Sequence, residues 1–397
     1  MKKIIALLCV ALLCLGFAAC GEEKPAPVNN GGRYVQYGGA VYYWKYNTDC
    51  IEPSGVWGQF MDVPGVRRDM ARLHADGGEE TVFSEEGYGG IWIYDGRFYL
   101  TKLDDKGDSH VFSTSMTGED SRAIGPGVIF ALDEARGLLI ITRPTDDSVS
   151  VYDMNSQTKE PLPIMHAELL LYDAAGAALY YRDYGLGEYD VVKLCSVNIE
   201  TGQARDIAML ELADCEALAE AQWVEFKGTR LEGDTLHIFL AGYGGTAHMY
   251  YGSAAFAVDM AGDGVLRDET PKESDWFGVN QPFHLGGEGP FESQVSDFAW
   301  YVCPGGGEAP KAVLLEEELA ALGLPGGPYY YDDAFADVRE AELVDGAVFF
   351  SVWQGPRNEA EDIGWRSAYG FGGAHVYRKD LSSGEIKELY AVAAPEK

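Results

Sequence analysis

A two-part phrase recurs along this chain and restricts its fold more than any other feature. The first part is a β-rich run, a turn with glycine, and a second β-rich run. It reads "RYVQYGGAVYYWKY" (33–46), "IWIYDGRFYLTK" (91–102), "VIFALDEARGLLIITR" (128–143), "LLLYDAAGAALYYRDY" (169–184), "VEFKGTRLEGDTLHIFL" (224–240) and "DVREAELVDGAVFFSVW" (337–353). Gly39, Gly96, Gly137, Gly176, Gly233 and Gly346 stand just before the second run. Glycine permits the positive φ that tight hairpins need. The second part is another strand pair around a polar turn. Copies are "ARLHADGGEETVF" (71–83), "VFSTSMTGEDSRAI" (111–124), "SVSVYDMNSQTKEPL" (148–162), "VKLCSVNIETGQARDI" (192–207), "AAFAVDMAGDGVLRD" (254–268) and "HVYRKDLSSGEIKEL" (375–389), with a weaker one at 298–315.

Each unit is therefore four antiparallel strands, A to D, with tight A–B and C–D turns. A sheet with two apolar faces cannot bury them alone. Repetition at roughly 40–60 residues predicts radial stacking, an all-β fold of propeller blades. We count seven blades, with six or eight as alternatives because the sixth unit (about 274–315) is poor in its first half. The stretches 210–222 and 312–324 look helical and are expected as insertions between units.

The N-terminus reads differently. Lys2 and Lys3 precede an apolar run, Ile4 to Ala19, which ends in "FAAC". This predicts a secretory signal over 1–19. Residues 20–32 are expected as a lipidated Cys20 with a flexible, polar tether, and 33–392 as a single propeller domain. Phe17-Ala18-Ala19-Cys20 resembles the lipobox of bacterial lipoproteins, although that family prefers Leu where Phe17 stands. The resemblance implies diacylglycerol on the Cys20 thiol. Two or more acyl chains would give a stable anchor to the bacterial cell membrane.

Removing Lys2 and Lys3 from the 30 basic residues leaves 28 against 63 acids, a net charge near −35. Such a surface repels nucleic acid and anionic headgroups, so no nucleic-acid partner is expected. Of seven cysteines, Cys50, Cys195, Cys215 and Cys303 belong to the body of the protein. Pairing is open to them in an oxidising compartment, and separate buried thiols are the other reading.

The repeats over about 33–392 resemble bacterial β-propeller lipoproteins, including TolB-like propellers and propeller lipoproteins of Gram-positive bacteria. The chain lacks the Trp-Asp and Tyr-Trp-Thr-Asp signatures of named propellers. "NIETG" (198–202) is similar to the Thr-Gly turn of quinoprotein propellers, but the following Trp is missing, so no such cofactor is expected.

In a meandering blade the B–C and D–A connections emerge on one face, opposite the tight turns. All long loops should crowd that face, where binding normally resides. Their aromatics and arginines suit a rigid contact surface for sugar rings or peptides. The candidate ligand-binding residues are Trp57, Tyr184, Tyr243, Tyr250, Trp353, Trp365, Arg366 and Tyr369. No His-Glu-x-x-His, Gly-x-Ser-x-Gly or phosphate-loop motif occurs. The Asp groups 104–108 and 332–337 have the oxygens to hold Ca²⁺ with backbone carbonyls, but neither fits the EF-hand loop, and they are expected as solvated acids. No catalytic residue, metal or cofactor is expected. The sequence supports a monomeric binding protein with a protein or glycan ligand; a surface hydrolase or lyase acting at the channel is the alternative.

Overall fold

A computed structural model describes residues 26–50, 65–185, 191–244, 249–260, 265–268, 283–286, 299–302, 311–322, 334–356 and 373–393. Strands β1 (Tyr34–Tyr37), β2 (Ala40–Lys45), β3 (Arg68–His74) and β4 (Glu79–Glu85) form the first sheet, paired antiparallel in chain order. The same meander repeats in β5–β8 (Gly87–Tyr94, Arg97–Leu103, Ser109–Ser115, Arg122–Pro126) and β9–β12 (Val128–Asp133, Leu138–Arg143, Ser148–Asp153, Thr158–Pro161). It continues in β13–β16 (Ala167–Asp173, Ala178–Asp183, Val191–Asn198, Ala204–Glu211) and β17–β20 (Trp223–Glu232, Thr235–Gly244, Met249–Asp259, Leu266–Asp268). The sixth sheet has three strands among the described residues, β21–β23 (Phe283–Gly286, Ala299–Val302, Lys311–Leu315). The seventh is β24–β27 (Ala334–Val344, Ala347–Pro356, Gly373–Asp380, Ile386–Ala393).

The turns are the ones the phrase requires. Asp95-Gly96 and Asp345-Gly346 both take positive φ at both positions, and their flanking residues pair directly, Tyr94 with Arg97 and Val344 with Ala347. These are two-residue hairpins whose twist matches the strands. In the fourth sheet Ala177, rather than Gly176, carries the positive φ. In three copies the second half of the phrase is an Asx turn. Asp153, Asn198 and Asp380 each accept two backbone N–H bonds from the residues two and three positions on. A short acceptor at the strand end thus caps the turn that the polar run provides.

Alternation along the second strand of a sheet buries both its faces. Tyr42 and Trp44 pack toward the second sheet with Ile91, Ile93 and Phe98, while Tyr43 packs toward the seventh with Phe349 and Tyr390. Leu179 and Tyr181 join Ile140 of the third sheet, and Tyr180 joins Leu236 and Ile238 of the fifth. Phe349 faces the first sheet, and Val348 and Phe350 face Leu314 of the sixth. Such clusters link every neighbouring pair among the described residues except the fifth and sixth sheets. Each fully buried Leu, Ile or Phe contributes about 1.5–3 kcal/mol. The first strand of each sheet lies innermost, and β1 touches both β5 and β24. The fourth strands carry the exposed residues. Seven radial meanders closing between the first and last define a β-propeller.

Among the described residues the first and last strands, β1 and β27, lie in different sheets. The ring closes through side chains and the N-terminal segment. Residues 28–32, expected within the tether, run along the inner strands. Val28 bridges Gln36, and the Gly31 N–H donates to Ile91 O at 2.7 Å. A Cβ on Gly90 would lie 2.2 Å from Gly31 O. The "GYGG" at 87–90 thus makes room for a backbone.

The expected insertion at 210–222 is no α-helix. Residues 212–214 form a 3-10 turn, and Leu212, Cys215, Leu218 and Ala221 are linked in i→i+3 hydrogen bonds. The apolar spacing of three places these side chains against the fifth sheet, which explains the tighter winding. The other stretch holds β23 and a six-residue helix, Glu316–Ala321. Cys50, Cys195 and Cys215 are buried free thiols; Cys303 lies outside the described residues. No helix among the described residues is long and apolar enough to cross a membrane.

Candidate functional site

The tight turns set the direction of every strand, so the B–C and D–A connections share one rim. On that rim, at the fourth and fifth sheets, the described residues form a charged and aromatic ledge. Glu168 on β13 stands opposite Arg182 on β14. Arg182 is a fully buried cation that follows the buried run Leu179–Tyr181 on β14. Its Nη1 donates to Val224 O at 3.2 Å and lies 3.8 Å from Glu168 Oε2. Its guanidinium sits 4.6 Å from the Tyr184 ring centre and 5.9 Å from that of Phe226. Nε and Nη2 have no hydrogen-bond partner among the described residues; the flanking ring faces take the place of acceptors. Tyr184 donates its hydroxyl to Glu168 Oε2 at 2.5 Å. Burial, then this carboxylate, pushes the phenol up to about 12.

On the neighbouring sheet, Trp223 opens β17 and stacks on Tyr243 near the end of β18, with centroids 4.8 Å apart and planes at 20°. Lys227 Nζ lies 5.2 Å from the Tyr243 ring centre and pairs with Glu225. Burial pulls the Lys227 ammonium down, but its bonds to Glu225 and Tyr243 outweigh this and raise it. The ledge therefore holds rings packed against cations, with carboxylates beside them. Aromatic and charged groups of this kind suit a planar or ring-shaped ligand with polar edges.

Of the candidate residues, Tyr184 and Tyr243 lie on this ledge, on adjacent sheets. Tyr250 on β19 stands in register with Tyr243 on β18, and Trp353 on β25 pairs with Ala374 on β26; the structure describes only the backbone of Tyr250 and Trp353. Cys20, Trp57, Trp365, Arg366 and Tyr369 lie outside the described residues. Sequence reasoning missed Glu168, Arg182, Trp223 and Lys227. The signal for Arg182 was present, a cation at a buried parity of "ALYYRD", whereas Glu168 and Lys227 have no local signature.

The acidic groups behave as turn elements. Asp104 accepts from the Lys106 and Asp108 N–H groups at 2.8 and 2.9 Å. Among the described residues no group of His, Cys, Asp and Glu could hold a metal ion. Asp332 and Asp333 lie outside them.

No protein-family profile matches the chain, and no curated protein does. Solved structures that resemble it include the β-propeller domain of the Trilobed protease from Pyrococcus furiosus. That likeness has 12% identity and TM-score 0.42, and covers 75% of this chain and 81% of that one. Another is an acylaminoacyl peptidase from Pyrococcus horikoshii, at 13% identity and TM-score 0.42, covering 75% of this chain and 45% of the peptidase. TolB from Acinetobacter baumannii is similar at 10% identity and TM-score 0.33, covering 90% and 83%. Likenesses at this level specify neither a binder nor an enzyme. The class defined by the seven sheets themselves is the β-propeller.

Proposed function

We propose that the protein is an extracytoplasmic propeller, anchored by lipid at Cys20, that binds a glycan or protein partner at its loop-rich rim without catalysis. The reading rests on the ledge of Arg182, Tyr184, Trp223, Lys227 and Tyr243, with rings held in place before any ligand arrives. Preorganised aromatic faces lower the entropic cost of binding. Glycan and peptide arrays probed with the protein, then with Tyr184→Ala, Trp223→Ala and Tyr243→Ala, test the placement. Ligands that bind the parent and the triple variant equally would move the site elsewhere. Labelled palmitate incorporated by the parent and lost in Cys20→Ser tests the anchor. The signal sequence and lipobox support that part of the reading.

The alternative, a surface hydrolase or lyase, draws on Glu168 and Glu225, which stand near the loop-rich ends of two neighbouring inner strands. Glu168→Gln or Glu225→Gln would then abolish turnover of a polysaccharide or peptide while binding persists.

A further inference from the structure

The opposite face carries a second feature, independent of the ledge. A cleft of about 220 Å³ opens among the hairpin tips, between the first and last sheets. Its lining includes Leu73, Val344, Phe349 and Leu389 as an apolar floor. His74, Arg378 and Lys387 add positive or proton-donating groups. The chain as a whole has 63 acids against 30 Lys and Arg. Around this cleft the balance is reversed, with two permanent cations and one acid, Asp345, among the lining residues.

That acid is already engaged, since Gln36 Nε2 donates to Asp345 Oδ2 at 2.8 Å. Lys387 Nζ reaches across the seam to Gly77 O at 3.3 Å, which uses one of its three protons. Arg378 makes a 3.4 Å contact with Asp380 through Nη2, and His74 Nε2 lies 3.2 Å from Glu80; neither acid belongs to the lining. The remaining guanidinium and ammonium donors suit a carboxylate.

We propose that this seam cleft is a binding site for a small carboxylate bearing an apolar tail. The tail would lie on Leu73 and Leu389, above the buried Val344 and Phe349, and the carboxylate would meet Lys387 and Arg378. The volume falls below the roughly 300–1,000 Å³ of drug-sized pockets, which limits the ligand to a short-chain acid. Because the cleft straddles the first and last sheets, occupancy would also bridge the ring closure.

The full-length protein titrated with hexanoate, 1-hexanol and hexylammonium by calorimetry tests the proposal. Hexanoate is expected to saturate one site, with hexanol weaker and hexylammonium not bound. Lys387→Gln is expected to weaken hexanoate by about fivefold or more, and Lys387→Arg to retain it. Lys387 is exposed, so its replacement leaves the fold intact. Trp223→Ala, on the other face, should bind hexanoate like the parent. No saturable hexanoate binding at millimolar concentration would overturn the site. Equal binding of the acid and the amine, or hexanoate affinity unchanged in Lys387→Gln, would do the same.

Discussion

Glu342 and Arg33, 309 positions apart, meet where the ring closes, with both carboxylate oxygens 3.0 Å from the Arg33 amide nitrogen. The same carboxylate accepts from the Tyr34 N–H at 3.2 Å and from Asn29 Nδ2 at 2.8 Å. Tyr34 stacks on Phe349 beside it, with centroids 4.7 Å apart. Among the described residues no strand is shared between the first and last sheets, so this carboxylate, together with the Gln36–Asp345 and Lys387–Gly77 contacts, is a polar part of the closure.

Glu342→Ala should therefore weaken the ring specifically at its seam. Two backbone amides lose a charged acceptor, a cost of about 2–3 kcal/mol. Urea unfolding should show this loss, and Glu342→Gln, which keeps one acceptor oxygen, should lose less. Limited proteolysis should cut near Asn29 faster in the alanine variant. Unchanged urea midpoints and cleavage rates would show that the ring closes without the Glu342 carboxylate.

Asp133 ties the third sheet to the fourth. Its Oδ2 accepts from Tyr172 at 2.5 Å and from Arg136 Nη1 at 2.9 Å, and its side chain is fully buried. Burial would raise its carboxyl, but the Tyr172 and Arg136 donors outweigh this and hold it low. A depressed folded value stabilises the protein above the unfolded value of about 3.9 and is lost as pH falls through the folded one. Asp133→Asn should cost about 1–3 kcal/mol at pH 7. The gap between parent and variant should narrow on acidification below pH ~4. A gap that does not change with pH would contradict the ionised state.

Gly252 sits under the 3-10 segment that precedes the fifth sheet. A Cβ there would lie 2.1 Å from Ala217 O, a backbone atom with no rotamer to yield. Gly252→Ala should destabilise by about 1–3 kcal/mol through overpacking. Deleting the Leu218 side chain, which is fully buried against the same sheet, should cost about 2–5 kcal/mol. Equilibrium urea curves would measure both, and a neutral Gly252→Ala would place the segment elsewhere.

Cys195 should be chemically silent in the native protein. Burial pushes its thiol up to about 12, so the thiolate is scarce at pH 8. Iodoacetamide followed by mass spectrometry should label it only after unfolding in guanidinium. Rapid native labelling would show an open third strand in that sheet.

The sequence by itself determined the repeating unit, its four strands and its turn chemistry, and left the number of sheets between six and eight. Those signals are local, because alternation needs only neighbours two apart and a positive φ needs only the right residue at a turn. Asp95-Gly96 and the Asx caps at Asp153, Asn198 and Asp380 announce themselves within five positions. Tyr184 and Tyr243 were legible as aromatics near variable loops, but Arg182 beneath Tyr184 and Trp223 against Tyr243 were not. Tertiary structure alone decided that "GYGG" seats the Gly31 backbone, and that 212–221 winds as 3-10 turns against glycines of the fifth sheet. It also decided that residues 28–32 line the ring and that Glu342 closes it. Each of these depends on which distant segments are brought together, and closing the chain into a ring is what supplies the partner.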